Sequence, residues 1–372
     1  MFSPEVTLDI TVTGPWYLAP LARRLYPLLP FLALLGLGAL YRNRRAARTR
    51  AAIEARFNPY TVGAAVEEAD KFFGRQDELS RLLTALEHGN HVAIYGSRRI
   101  GKTSLLHRLA HALEAASDAG RLFIPVFVSL QTVPEERFFY ALMHGVAAAC
   151  RKHVELPELL CDSRPASYDS LDMTEDLETV VRAMHAADER DLCIVLLLDE
   201  ADRMNRYDEE TQEGLRGLLM TSAGRHVKLV WSGQAIDREW HLDTSPWYNL
   251  FKDEIRLMAF TDEQEARRLV TQPVEGRYKY KKDAVDLILR YSELRPYDIQ
   301  RLCSACVSRI LAEKRPRSIT VEDVEAAHQE MIAEDERKAT EEQATGYRLT
   351  PAGQPVAESS TEYSVDEEGE DK

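Results

Sequence analysis

The chain lacks a cationic excess. Asp and Glu number 61 against 47 Lys and Arg in 372 residues, a formal net charge of −14. Bulk acidity of that size gives no support to general affinity for nucleic acid. The chain is also too poor in cysteine for a disulfide scaffold. Its five cysteines, an odd number without regular spacing, fit a reducing compartment. Metal spacings are equally scarce. Cys303 and Cys306 form a CxxC with no second pair, and both fall on an apolar helical face, which favours core packing. His107 and His111 lie four apart, but Arg108 follows His107 where the zinc-protease pattern requires glutamate. No internal repeat is visible.

What is present is concentrated in one octet. Gly96-Ser97-Arg98-Arg99-Ile100-Gly101-Lys102-Thr103 satisfies the phosphate-loop pattern G-x-x-x-x-G-K-[ST]. The apolar run His91-Val92-Ala93-Ile94-Tyr95 precedes it and reads as a buried strand. Leu105, Leu106, Leu109, Ala110 and Leu113 follow at helical spacing. In a strand–loop–helix, backbone N–H groups and the helix N-terminus converge on phosphate oxygens. Residues 96–104, including Ser104, are therefore expected to bind nucleotide. Lys102 is expected on the β- and γ-phosphates and the Thr103 hydroxyl on Mg²⁺.

A second run, Cys193-Ile194-Val195-Leu196-Leu197-Leu198, is uninterruptedly apolar and ends in Asp199-Glu200-Ala201-Asp202. Such a strand is buried on both faces, as in a parallel sheet. Its C-terminal carboxylates fall where open α/β sheets place ligands. Asp199 suits Mg²⁺, Glu200 suits polarising the attacking water, and Asp202 reads as a cap for the next helix. Leu122-Phe123-Ile124-Pro125-Val126-Phe127-Val128-Ser129-Leu130 lies between these motifs, and Val227-Lys228-Leu229-Val230-Trp231-Ser232-Gly233-Gln234 follows them. This order resembles the additional-strand catalytic-glutamate class of P-loop ATPases. The resemblance puts Ser232 and Gln234 at that class's first sensor and makes Glu200, Gln234 and Lys102 the candidate catalytic residues.

Asn58-Pro59-Tyr60 and then Phe72-Phe73-Gly74-Arg75, followed by an amphipathic helix, resemble the start of the ATPase core in the STAND group and its archaeal-ATPase and Orc/Cdc6-like relatives, within the AAA+ assemblage. The likeness continues through Leu269-Val270-x-x-Pro273-Val274-Glu275-Gly276 to Arg295-Pro296-Tyr297, covering roughly residues 57–332. It implies ATP and Mg²⁺ as ligands, and Tyr60, Phe73, Gly74, Arg75 and Pro296 as further nucleotide contacts. Glu293-Leu294-Arg295-Pro296 departs from the Gly-His-Pro or Gly-Gly-x-Pro of relatives, so a second-sensor role for Arg295 is not carried by the motif.

Residues 261–333 read as a small helical lid, with a winged form left open. Thr261 is a candidate cap, and Pro296 starts a helix whose apolar face is Ile299, Leu302, Cys303, Cys306, Val307, Ile310 and Leu311. Residues 318–320 read as a short extended piece before a last helix. The stretch Arg277-Tyr278-Lys279-Tyr280-Lys281-Lys282 interleaves cations and aromatics, as nucleic-acid grooves do, or forms a solvated loop.

Near the N-terminus, residues 25–41 are free of charge, aromatics stand at both ends, and Arg42, Arg44, Arg45, Arg48 and Arg50 follow. This predicts an uncleaved transmembrane anchor over 16–41 in an inner membrane, with the ATPase on the cytoplasmic side. An amphipathic surface or core helix is the alternative. Val6-Thr7-Leu8-Asp9-Ile10-Thr11-Val12 alternates as a strand, and residues 5–45 resemble the membrane junction of bacterial propeller-type sensors. At the other end, residues 334–372 hold twelve acidic and four basic residues and are expected to be disordered.

The sequence thus predicts an α/β chain with a parallel P-loop NTPase sheet, helices on both faces, a helical lid and an N-terminal transmembrane helix. Its segments are 1–15, a short strand; 16–41, the anchor; 42–56, a basic linker; 57–260, the ATPase core; 261–333, the lid; and 334–372, an acidic tail. The expected activity is slow, regulatory ATP hydrolysis in a nucleotide-dependent homo-oligomer or with a protein partner. A nucleic-acid-associated ATPase and a nucleotide-binding scaffold without turnover are the alternatives.

Overall fold

The computed structural model describes residues 58–68, 71–235, 245–313, 315, 317–345, 348–349 and 355–356. The expected strand, anchor and linker over 1–56 lie outside these residues. Among the described residues no helix is long and apolar enough to cross a membrane. All elements below fall in the contact unit Tyr60–Lys372.

Helix α1 (Gln76–Glu87) leads into β1 (His91–Tyr95), the phosphate-loop segment and α2 (Lys102–Ala116). Then follow β2 (Arg121–Ser129), α3 (Phe138–Cys150), α4 (Ser170–Ala187), β3 (Asp191–Asp199), α5 (Glu209–Met220), β4 (Val227–Gly233) and β5 (Phe251–Arg256). The five strands make one parallel sheet in the order β2-β3-β4-β1-β5.

Successive side chains alternate between the two faces of the sheet and split the core in two. Ile194, Leu196 and Leu198 of β3 face one apolar cluster, shared with Phe138, Leu142, Leu177, Val180 and Leu215 of α3, α4 and α5. Cys193, Val195 and Leu197 face the other, with Leu82 and Leu86 of α1 and Leu105, Leu106 and Leu109 of α2. Both faces are covered, which explains why β3 is uniformly apolar from Leu192 to Leu198. The four strands read from sequence are all present. The fifth was not anticipated. Phe-Lys-Asp-Glu-Ile-Arg is largely polar because β5 is an edge strand that buries only Ile255.

The lid follows: α6 (Glu263–Thr271), β6 (Lys279–Tyr280), α7 (Lys282–Ser292), α8 (Pro296–Glu313), β7 (Ser318–Ile319) and α9 (Val321–Thr345). Its separate core gathers Leu269, Val270, Ile288, Ile299, Leu302, Cys303, Cys306, Val307 and Val324. Cys303 and Cys306 are fully buried, and burial pushes the Cys303 thiol up to about 12. They are packing residues, as their spacing on one face implied. Asp262, rather than Thr261, caps α6 by accepting from the Gln264 N–H at 2.8 Å.

The fold departs from the sequence expectations at two further places. The lid's only strands among the described residues are the two-residue parallel pair β6–β7, which makes no wing. Residues 334–345 are helical, as the end of α9. Arg301 binds Asp335 at 2.6 and 2.7 Å, and Lys338 pairs with Glu334 one turn away at 2.5 Å. A second strand pair, β8 (Arg348–Leu349) with β9 (Pro355–Val356), is antiparallel.

Candidate functional site

Strand β1 delivers the octet to the C-terminal edge of the sheet, between β4 and β5. Two glycines are required there for different reasons. A Cβ on Gly96 would come within 2.5 Å of the Leu257 carbonyl, so the residue after β5 approaches too closely for any side chain. Gly101 has φ +102°, and no atom lies within 4 Å of where a Cβ would stand, so a side chain there would project into the open cradle. Gly101 is the N-cap of α2, which has no side-chain cap and no acid in its first turn. An uncapped, acid-free helix N-terminus beside an open cradle fits a phosphate group.

Lys102 lies back along the loop, its Nζ donating to the Gly96 carbonyl at 2.8 Å and the Ser97 carbonyl at 3.2 Å. Burial lowers its pKa. The charges of Glu200, Asp202 and Asp199 oppose that shift in that order, and Arg98 reinforces it. Three carboxylates therefore face one half-buried ammonium, whose desolvation an anionic ligand would offset.

Thr103 joins the two motifs. Its Oγ1 donates to Asp199 Oδ2 at 2.7 Å, and the Ser232 hydroxyl donates to Asp199 Oδ1 at 3.2 Å. Asp199 is 5 % exposed and Ser232 fully buried. Hydroxyl and acid thus stand together where the phosphate loop meets the end of β3. Among the described residues no group of three or more His, Cys, Asp or Glu could hold a metal by itself. That donor set fits Mg²⁺, which keeps several waters and takes one or two protein oxygens together with phosphate. Thr103 and Asp199 are the residues that would hold it.

Glu200 is exposed and left-handed, with φ 52° and ψ 37°. This uncommon conformation for a residue with a side chain lets the chain leave β3 and enter the 3-10 turn Ala201–Arg206. Asp202 does not cap that turn or the next helix. Its carboxylate accepts the Gln234 N–H at 2.7 and 2.9 Å and the Ala235 N–H at 3.4 Å. It thereby ties the segment after β4 to the segment after β3. Gln234 itself is exposed, one residue beyond Gly233, which lies beside Tyr95 at the end of β1. Trp231 braces this corner from below, donating its indole N–H to the Ala201 carbonyl at 3.1 Å.

Five of the expected nucleotide contacts have other partners. Tyr60 packs in the lid core at 7 % exposure, and its hydroxyl bonds the Val270 carbonyl and, at 3.2 Å, Tyr280. Its ring is part of the lid core. Phe73 also packs against the lid core. Gly74 has φ +67°, and a Cβ there would meet Phe260 at 2.5 Å, while its N–H donates to Glu265 of α6 at 3.1 Å. Arg75 braces the loop: it binds Glu78 at 2.9 Å and the Met258 carbonyl, and lies 5.2 Å over Phe260. Ser104 accepts the Val66 N–H at 2.9 Å. These residues join phosphate loop, fifth strand and lid. The sequence pattern grouped them as nucleotide contacts without revealing these partners.

At the lid, Pro296 begins α8 as expected. Arg295 is engaged by Asp298, Nε to Oδ2 at 3.4 Å. The residue of that helix start that meets the phosphate loop is Tyr297, under the guanidinium of Arg99.

Residues 71–231 match the family described as AAA ATPase domain. A search of curated proteins gave no match. Among solved structures, the chain is similar to the Walker-type ATPase of Pyrococcus abyssi, with 14% identity, TM-score 0.56, and 76% of this chain and 79% of that one covered. It is similar to the Drosophila ORC structure bound to DNA, at 14% identity and TM-score 0.52, covering 74% and 64%. The Orc1 protein of Aeropyrum pernix in complex with DNA aligns at 19% identity and TM-score 0.49, covering 70% and 66%. The chain spans just under two thirds of the ORC and Orc1 chains. At these identities the likeness to the first two concerns the fold alone.

Proposed function

We propose that this chain is an ATP-binding and ATP-hydrolysing switch whose nucleotide state sets the closure of lid on core and couples it to assembly or signalling. The contact between Thr103 and Asp199 carries the reading, because it unites phosphate loop and acidic strand at one point. The loop amides, Lys102 and the α2 N-terminus bind the triphosphate. Thr103 and Asp199 would hold Mg²⁺, which would supply charge neutralisation at the phosphates. Glu200 accepts a proton from the attacking water, and Gln234, fixed through its backbone by Asp202, helps orient that water.

Residues 16–41 of the sequence, a charge-poor segment followed by arginines, support a membrane anchor. The switch is then a single-pass inner-membrane protein with a cytoplasmic ATPase, acting as a homo-oligomer or on a protein partner. The alternative is a nucleic-acid-associated ATPase. The fold likeness to an ORC structure bound to DNA and the exposed cations of residues 277–282 favour it. Tyr278 and Tyr280, however, are buried and offer no ring for base stacking.

Phosphate release by the full chain against Glu200→Gln tests the central reading. Turnover should fall about a hundredfold or more with ATP binding retained. Equal release by the two proteins would leave only a nucleotide-binding scaffold. Membrane fractionation of the full chain against one lacking residues 1–50 tests the anchor, and retention of the shortened chain at the membrane refutes it.

A further inference from the structure

The lid carries a cationic surface that the nucleotide site does not use. Alternation sorts residues 277–281, and Lys282 opens α7. Tyr278 and Tyr280 turn into the lid core at 8 % and 9 % exposure, while Arg277, Lys279, Lys281 and Lys282 are exposed. Pairing of β6 with β7 adds a fifth cation. Lys279 donates its N–H to the Arg317 carbonyl at 2.9 Å, and the Arg317 guanidinium lies 5.8 Å over Tyr278. Among the described residues none of these five side chains is in an ion pair, whereas neighbouring Arg315 is held by Glu313 and Asp323. The acids nearest in sequence are Glu275, Asp283, Glu313, which is paired with Arg315, and Glu322, which feels the charge of Lys281. An exposed ribbon of five cations on an acidic protein is an unbalanced surface.

The complementary charge is in the same chain. Residues 357–372 hold seven carboxylates and one lysine. We propose that the ribbon of Arg277, Lys279, Lys281, Lys282 and Arg317 is the docking face for this acidic C-terminal segment. Reach permits it. Helix α9 begins two residues after β7 and carries the chain about 37 Å away at 1.5 Å per residue. The antiparallel pairing of Arg348 with Val356 then reverses the chain, and sixteen extended residues span about 50 Å. Tethering supplies an effective concentration in the millimolar range. Each exposed pair is individually weak and is screened by salt, so the dock is multivalent and reversible. The docked segment shields the ribbon from other polyanions. Docking of this kind does not depend on nucleotide turnover.

Zero-length carbodiimide cross-linking of the full chain, as an equimolar mixture of unlabelled and nitrogen-15-labelled protein, tests it. The expected products join Lys279, Lys281 or Lys282 to carboxylates of 357–372 within one copy. Their yield should fall about fivefold in about 0.5 M salt. It should fall similarly in the full-chain variant Lys279→Glu, Lys281→Glu, Lys282→Glu, whose other cross-links persist. Mixed-isotope products overturn the proposal in favour of a second copy. Absence of tail cross-links also overturns it. Equal binding of a fluorescent DNA duplex with the tail carboxylates intact or replaced by amides would then assign the ribbon to nucleic acid.

Discussion

Arg99 of the phosphate loop lies over the ring of Tyr297, with the guanidinium carbon 4.5 Å from the ring centroid. Arg99 is left-handed, at φ 64°, and Tyr297 is the second residue of α8. The loop expected to grip phosphate therefore touches the lid directly. A phosphate drawing the guanidinium inward would weaken this contact, and loss of the phosphate would restore it.

Replacing Tyr297 by Ala should uncouple the two bodies at small cost. An exposed cation–π contact contributes about 0.5–1 kcal/mol. Thermal stability should shift little, while Mg-ATP affinity changes by about two- to fivefold, the range those energies imply. Calorimetric titration with a non-hydrolysable analogue measures it. Unchanged affinity would show that loop and lid act independently.

Lys102→Ala should abolish the thermal stabilisation conferred by Mg-ATP. The ammonium is the one cation that the loop folds back onto its own carbonyls, ready to turn toward a phosphate. At ligand about a hundredfold above its Kd, binding stabilises by about 2.7 kcal/mol, a shift of several degrees for a domain of this size. An undiminished shift in the variant counts against the site.

Asp202→Ala should act on turnover through Gln234. It removes a carboxylate that accepts from two successive backbone N–H groups. Losing charge-assisted bonds of this kind costs about 1.5–3 kcal/mol locally. The expected pattern is a kcat lower by about tenfold with nucleotide affinity largely kept, since Asp202 hydrogen-bonds the segment after β4 and reaches Lys102 only through its charge. A change confined to affinity would place Asp202 in the binding cradle instead.

His91 should make the fold acid-sensitive. Burial lowers its pKa to about 4, with Lys228 and Lys252 adding to the shift. Its Nδ1 accepts the Leu229 N–H at 2.9 Å, a bond between β1 and β4 that only the unprotonated nitrogen can make. The unfolded chain takes up this proton below about pH 6.5 and the folded chain only near 4. Stability is therefore full above the higher value and lost as pH falls between the two, by at most about 3 kcal/mol. Denaturant midpoints at pH 7 and pH 4.5 should diverge more for the parent chain than for His91→Asn. Identical pH dependence would remove His91 as the cause.

The nucleotide cradle was legible because its determinants are local. Eight consecutive residues, a strand before and a helix after define it, and Asp199 ends a strand whose uniform apolarity reports burial on both faces. Cys303 and Cys306 were legible for the same reason, through helical spacing. What the sequence left unread is set by contacts distant in sequence or by position in the sheet. Tyr60 binds Val270 and Tyr280, more than two hundred residues away. Asp202 looks like a cap until Gln234 arrives thirty-two residues later. β5 is polar because an edge strand needs only Ile255 inside. The composition of 334–345 suggests disorder, yet Arg301 pins Asp335 from another helix and holds that turn in place.

The sheet order also governs how the protein can be made. β1 lies between β4 and β5, so Val92 waits for Val230 and His91 for Phe251. Gly96 likewise waits for the carbonyl of Leu257. On the ribosome the phosphate loop is synthesised early but has no walls until roughly the first 260 residues have emerged. A growing chain should therefore be blind to ATP through most of its translation. A fragment trimmed to 71–231 would end within β4 and leave one side of β1 open to strangers. Such a fragment invites aggregation, so expression boundaries should extend past Leu257 and through the lid.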